Sequence, residues 1–398
     1  MTQAFELGNR NLYPHLDAKA YLAYAATAPV STLVKAAVNQ VLDAYAMRGN
    51  VAFLDFIEQR ERLREKLGRL VGAPASDIAL ISGTTRGISD LALCIPWNAG
   101  DRVVLFAGEF PANVSPWLRA AELFGLQVEF VPLTHAATEP ERWLAELART
   151  LGRGARLVAV SAVQFQTGLA MPLAQIAELC REHGAELCVD AIQACGVMPL
   201  DTPALGVDYL VSGSHKWLLG PDGVGFLFAR PERARALVPR VAGWLSHEGG
   251  ARFLFDGPGH LRYDLPIKDG PSMLEGGSSS TLGFAALEAA IEPLLQLGAP
   301  AIFQHVSRYL DALEPGLTSR GFVSRRSPLA SARSGIASFV PPPDLSAGAL
   351  VQALRVRGVY ASMPDGLLRF APHFPNALSE IETVLAALDE AIDTLRTA

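Results

Sequence analysis

The stretch VDYLVSGSHKW, residues 207–217, decides the fold. Its first half, Val207 to Ser212, is a nearly continuous apolar run of strand length. A run without polar alternation reads as a strand covered on both faces. Its second half turns polar and then presents Lys216 beside Trp217, with Leu218 and Leu219 following. A lysine in apolar surroundings must lose its charge or find a partner, and a neutral amine is a candidate for Schiff-base chemistry. A surface lysine lying along apolar neighbours fits poorly with Trp217 and two leucines beside it.

Similar runs recur on both sides of this one. The strand candidates are Ile78–Ile81, Arg102–Phe106, Gln127–Val131, Arg156–Ser161, Glu186–Asp190, Asp208–Ser212 and Val224–Ala229. Helix candidates lie between them around Arg86–Leu93, Val114–Phe124, Glu141–Leu151 and Leu173–His183. Such alternation predicts an α/β domain with a mainly parallel, seven-stranded sheet. After Gly225 the rhythm changes. Residues 243–277 are rich in Gly, Pro and aromatics and read as long loops, and Thr281–Leu297 reads as a bridging helix. A smaller C-terminal α/β unit follows, with strands at Ile336–Val340 and Leu367–Ala371. A helix at Leu350–Arg357 is closed by Gly358, and Ser379 caps a last helix with Glu382 at its third position. The predicted organisation is an N-terminal segment, 1–19, packing near the small domain, a large domain, 20–277, and a small domain, 278–398, that includes the connecting helix.

Composition narrows the class. A chain of 398 residues that is half hydrophobic exceeds what one core usually supports and is no disordered or disulfide-stapled protein. The four cysteines, Cys94, Cys180, Cys188 and Cys195, sit in apolar settings and suggest a reducing compartment. A net charge of −6 argues against a nucleic-acid partner. No apolar run reaches the roughly 20 residues of a membrane span, and MTQAFELGNRNLYP has no apolar signal core. A cytoplasmic protein is expected.

In open α/β sheets ligands bind beyond the carboxyl ends of the strands. After the first strand stands Ser82-Gly-Thr-Thr-Arg-Gly87, opening a helix. Glycine, hydroxyls and free helix N–H groups suit a phosphate, although an ordinary helix cap would read the same. Phe110 follows the second strand and could lie on a planar ligand or belong to the core. Gln164-Phe165-Gln166-Thr167-Gly168 follows the fourth and could touch a ligand or form a turn. Asp190 ends the fifth, where a buried carboxylate needs a cation or donors, or caps the next helix. Together a phosphate nest, an aromatic ring, a carboxylate and a lysine form the set that pyridoxal phosphate needs.

The segment Val207–Lys216 followed by Gly223-Val-Gly225 resembles the cofactor-attachment signature of class V aminotransferases, which are fold-type I pyridoxal-phosphate enzymes. The likeness extends over nearly the whole chain, through Tyr21–Thr27, Gly83-Thr-Thr85, Val189–Gln193 and Leu368-Arg-Phe370. It implies that Lys216 carries the cofactor as a Schiff base and moves the Cα proton, and that Asp190 pairs with the ring nitrogen. It implies that Gln193 bonds the ring hydroxyl oxygen and Phe110 stacks on the ring. Thr84, Thr85 and His215 would bind the phosphate, with Ser214 helping, and Ser278 would reach the phosphate of the neighbouring subunit. Arg369 would clamp the substrate carboxylate, as a guanidinium does well. The side-chain pocket would draw on Tyr24, Phe165, the 243–277 loops and the partner in a homodimer with shared active sites.

The expected activity is amino transfer from an amino acid to a keto acid. Lyase chemistry, as kynureninase-like C–C or C–S cleavage, and epimerisation remain open. GWLSH, residues 243–247, resembles part of kynureninases. Cysteine desulfurase chemistry is set aside here, because Tyr360–Pro364 holds no cysteine and Phe110 stands where desulfurases stack a histidine. A nicotinamide enzyme is disfavoured because Gly220-Pro-Asp-Gly-Val-Gly225 precedes a strand and opens no helix. No ligand-type histidine spacing predicts a metal. A non-catalytic cofactor-binding regulator is disfavoured by the presence of Lys216, Asp190 and Arg369 and the lack of spare length for a DNA-binding segment.

Overall fold

The computed structural model describes residues 4–397. The elements β1 (Ala20–Tyr21), α1 (Thr32–Arg48), α2 (Phe53–Val71), β2 (Ile78–Ile81) and α3 (Thr84–Cys94) open the chain. The alternation continues with β3 (Arg102–Phe106), α4 (Ser115–Phe124), β4 (Gln127–Val131), α5 (Pro140–Leu151), β5 (Leu157–Ser161) and α6 (Leu173–Glu182). Next come β6 (Glu186–Asp190), α7 (Thr202–Leu205), β7 (Tyr209–Gly213), β8 (Gly225–Ala229) and α8 (Pro231–Ala236). The C-terminal third holds α9 (Thr281–Leu297), α10 (Ala299–Thr318), β9 (Val323–Ser324), β10 (Ala337–Val340), α11 (Ala347–Val356), β11 (Val359–Tyr360), β12 (Leu368–Phe370) and α12 (Glu380–Thr397).

The large sheet has seven strands in the order β2-β8-β7-β6-β5-β3-β4. β8 pairs antiparallel with both neighbours, and the other pairings are parallel. The chain therefore has the mainly parallel, seven-stranded α/β sheet expected from the sequence. Alternate side chains of a strand point to opposite faces, and here each face is covered. Val104, Val158 and Val189 enter one core, and Val103, Leu157 and Cys188 enter the other. That is why these strands read as unbroken apolar runs. The small sheet, β12-β10-β9, is antiparallel.

The N-terminal segment is tied to the C-terminal unit. Gly8 N–H donates to Phe374 O at 2.7 Å, and Ala20 of β1 pairs in parallel register with Val359 of β11. Leu12, Trp217, Phe284, Phe339 and Phe370 all belong to one contiguous core. The large and small units thus share apolar packing.

The long helices α1, α2 and α10 have no counterpart in the sequence reading. The first two precede the β/α alternation, and Pro315 interrupts the pattern of α10. Helix α3 begins at Thr84, two residues before the predicted Arg86. That shift places both threonines in its first turn.

Candidate active site

The carboxyl ends of β2, β6 and β7, the loop after β3 and strand β12 enclose a cavity of about 950 Å³. Lys216, Asp190, Thr84, Thr85, Phe110, Gln193, His215, Phe165 and Arg369 lie on its wall. Residues spread from position 84 to position 369 are thus brought to one place by the sheet order.

The β2 side is built for an anion. Gly83 takes φ +140°, a conformation that glycine allows, and α3 starts immediately after it. The Thr84 hydroxyl oxygen accepts from Gly213 N–H at 2.8 Å, which ties this turn to the end of β7. The N–H groups of the first helical turn have no partner within the helix, and the helix dipole favours negative charge there.

Asp190 is 2% exposed, makes no ion pair among the described residues, and accepts one N–H, from Ile192 at 2.9 Å. Burial pushes its pKa up to about 7; the Ile192 bond opposes this, the Glu109 charge adds to it, and Lys216 opposes it. Such a carboxyl calls for a cationic donor, and the protonated nitrogen of a pyridine ring is one. Lys216 is 9% exposed, and its Nζ lies 5.4 Å from the centre of the Phe110 ring. Burial brings the amine down to about 8, against the pull of Asp190, while Arg369 pushes the same way as burial.

Gln193 is braced by its neighbours. Its Nε2 donates to Ala25 O at 3.0 Å, and its Oε1 accepts from Trp217 Nε1 at 2.8 Å. One Nε2 hydrogen remains for a ligand. Phe110 is 44% exposed and meets Phe165 edge-on, with ring centres 5.2 Å apart, so one face of its ring is open to the cavity. His215 Nδ1 lies 3.3 Å from the carboxylate of Asp222. Burial lowers its pKa, Lys216 adds to that, and Asp222 opposes it.

Arg369 is 5% exposed and has no carboxylate partner among the described residues. Its Nε donates to the Ser362 hydroxyl at 2.9 Å and its Nη1 to Phe165 O at 2.6 Å. Burial lowers its pKa to about 10, so it remains a cation at neutral pH. Ser362 orients this guanidinium and is absent from the sequence-predicted set. Its signal is the pairing of residues 362 and 369 across the turn, which becomes visible once the register is known. Asp222, beside His215, is also absent from the sequence-predicted set.

Three predicted residues lie off this wall. The Ser214 hydroxyl is fully buried and donates to Pro221 O, closing the turn that follows Lys216. Tyr24 is 1% exposed and packs its ring edge-on against Tyr21 and His373. Ser278 lines two separate clefts beside Arg86 and Arg60. The four cysteines are free and buried.

The residues present fit pyridoxal phosphate. Asp190 faces the cavity without a cation, Lys216 supplies an amine, Phe110 offers an open ring face, and α3 offers its N-terminus.

The class V aminotransferase family model matches residues 20–363. An uncharacterized aminotransferase of Bacillus subtilis, YcbU, is 26% identical over 382 residues, 96% of each chain. A probable cysteine desulfurase of Pyrococcus abyssi is 25% identical over 355 residues, covering 86% of this chain and 85% of its own. The structure of the cystine C-S lyase C-DES with its product, cysteine persulfide, superposes with a TM-score of 0.85 at 25% identity, over 93% of this chain and 97% of its own. The exclusion of cysteine desulfurases drawn from the sequence does not stand. A desulfurase relative aligns over most of the chain, and one loop and one ring position weigh less than that shared frame. With its wall shaped for pyridoxal phosphate and the family model matched across residues 20–363, the chain belongs to the class V aminotransferase family of fold-type I enzymes.

Proposed function

We propose that this chain transfers the amino group of an L-amino acid to a keto acid, as a homodimer. The observation that carries the reading is Arg369, a buried guanidinium without a carboxylate partner on the same wall as Lys216. Held by Ser362 and Phe165, it keeps Nη2 for an incoming α-carboxylate. Its planar fork fixes that carboxylate in orientation as well as position.

Bound pyridoxal phosphate supplies a carbonyl for amines and a protonated ring that takes up the electron pair of the Cα–H bond. The protein's residues do the rest. The first turn of α3, Thr84, Thr85 and His215 would hold the phosphate. Asp190 would receive the ring N–H, Gln193 would bond the ring hydroxyl oxygen, and Phe110 would lie against the ring. Lys216, with its amine near 8, is partly neutral at physiological pH and can accept the Cα proton as a general base and return it. Ser278, set away from its own chain's cavity, would serve the phosphate of the partner's site.

A second reading is elimination at Cβ of a sulfur-bearing amino acid. It is supported by the likeness to the cystine C-S lyase. The two fates are separated by incubating the purified protein with single amino acids, with and without a keto acid. Amino transfer gives a new amino acid only when the keto acid is present. Keto acid and ammonia accumulating from the amino acid alone would replace the transfer reading with the lyase one. Light scattering that returned the mass of one chain would remove the dimer.

A further inference from the structure

Glu109 lies between the end of β3 and Phe110, and only 8% of it is exposed. Its carboxyl is ringed by donors. Oε1 accepts from Ser161 N–H at 2.7 Å and from Gln164 Nε2 at 2.9 Å. Oε2 accepts from the Ser161 hydroxyl and from Asn113 Nδ2 at 3.4 Å. Burial pushes the Glu109 pKa up, and the bonds from Ser161, Gln164 and Asn113 oppose this; a carboxylate only accepts, so it is the ionised form that this ring of donors favours. No cation pairs with it among the described residues. A buried charge with neutral partners is a costly way to join two strand ends, and an uncharged side chain could brace the same groups at lower cost.

The geometry shows what the charge faces. Ser161, the residue that Glu109 grips through both N–H and hydroxyl, pairs in register with Asp190 across β5 and β6. Val211 is Asp190's register partner on β7. The charged groups that act on Asp190 are Glu109 from the β3 side and Lys216 from the β7 side. Lys216 in turn faces Asp190 and Arg369. Two buried carboxylates therefore stand on one side of the cavity, and a second cation on that side has to come with the ligand.

We propose that Glu109 is a positioning residue whose buried charge, set behind Asp190, keeps this side of the cavity negative and so holds the bound cofactor's cationic nitrogens protonated. The inference rests on the pyridoxal-phosphate reading of the cavity. It differs from a bracing role in what it predicts. Bracing affects stability, whereas a charge acts at a distance on proton equilibria.

The test is a spectral pH titration of the cofactor-loaded protein, following its visible band, in wild type, Glu109→Gln, Glu109→Asp and Ser161→Ala. Loss of a nearby negative charge makes a proton easier to lose. Glu109→Gln should therefore lower the midpoint, by about one unit. Glu109→Asp, which keeps the charge and retracts it, should fall between. Ser161→Ala removes a donor and keeps the charge, so it should lose melting temperature with its midpoint within about 0.3 unit of wild type. An unmoved midpoint in Glu109→Gln, or an equal shift in Ser161→Ala, overturns the proposal and leaves Glu109 a brace. If Glu109→Gln does not fold, Glu109→Asp decides by the same criterion. A wild-type protein that develops no visible band with pyridoxal phosphate overturns the cofactor reading itself.

Discussion

Replacing Arg369 by Gln should remove the grip on the substrate carboxylate and leave the cofactor in place. The size of the effect can be worked from the hydrogen bonds. Nε and one Nη1 hydrogen are committed to Ser362 and Phe165. The remaining donors, chiefly on Nη2, can give a carboxylate two charge-assisted bonds. At about 1.5 kcal/mol each, the lower end for bonds to a charged group, they contribute about 3 kcal/mol. That is about 150-fold in kcat/KM. The assay compares each amino acid with the matching amine that lacks the carboxylate. In wild type the amine should already be slower by a similar factor, and the substitution should cost the amine little more. Uptake of pyridoxal phosphate, followed by its visible band, should be unchanged. A loss under about five-fold for the amino acid, or an equal loss for acid and amine, would show that Arg369 does not hold the carboxylate.

Other consequences concern the remaining wall. Lys216 attacks as the neutral amine, so the rate at which cofactor-free protein takes up pyridoxal phosphate should climb with pH and level off above about 8; a rate still climbing steeply between about pH 9 and 10 would contradict the lowered amine. Asp190 carries a pKa raised to about 7 in the folded, cofactor-free protein, so folding is favoured while the carboxyl is protonated and loses support as pH rises from its ordinary value through 7. Cofactor-free Asp190→Asn should therefore melt higher than wild type at pH 8 and close to it at pH 4, and with cofactor bound the order at pH 8 should reverse; calorimetry at the two pH values checks this. At Gly196, where φ is +104°, a Cβ would sit 2.2 Å from Trp217 O. Gly196→Ala should cost more than about 2 kcal/mol and weaken cofactor uptake by displacing the Lys216 turn, and a normal urea midpoint with full uptake would refute that link.

Much of the frame was legible because its signals are local. A strand with both faces covered announces itself as an apolar run, and four β/α units in a row leave little choice of architecture. Lys216 and Asp190 were legible because ionisable groups at the ends of such runs are costly and so carry information. Legibility failed where position depends on packing between distant segments. Tyr24 lies in a stretch that approaches the cavity, yet its ring is drawn away by Tyr21 and His373. Ser214 stands two residues before Lys216, yet its hydroxyl turns back to Pro221. Glu109 was passed over for its neighbour Phe110, because its four donors come from segments 4 to 55 residues further along the chain.

The placement of β8 has a consequence for biosynthesis. The phosphate turn follows β2 and the lysine follows β7, and these two strands meet only through β8, which lies between them. Ile78 pairs with Phe228, about 150 residues later. While a ribosome is still making the chain, β2 is an early strand with no neighbour on that side, and β3 to β7 can assemble without it. Contacts so far apart in sequence form slowly and leave strand edges exposed meanwhile. The cofactor pocket therefore cannot take shape until residues beyond Ala229 have cleared the exit tunnel, and the carboxylate clamp waits for nearly the whole chain.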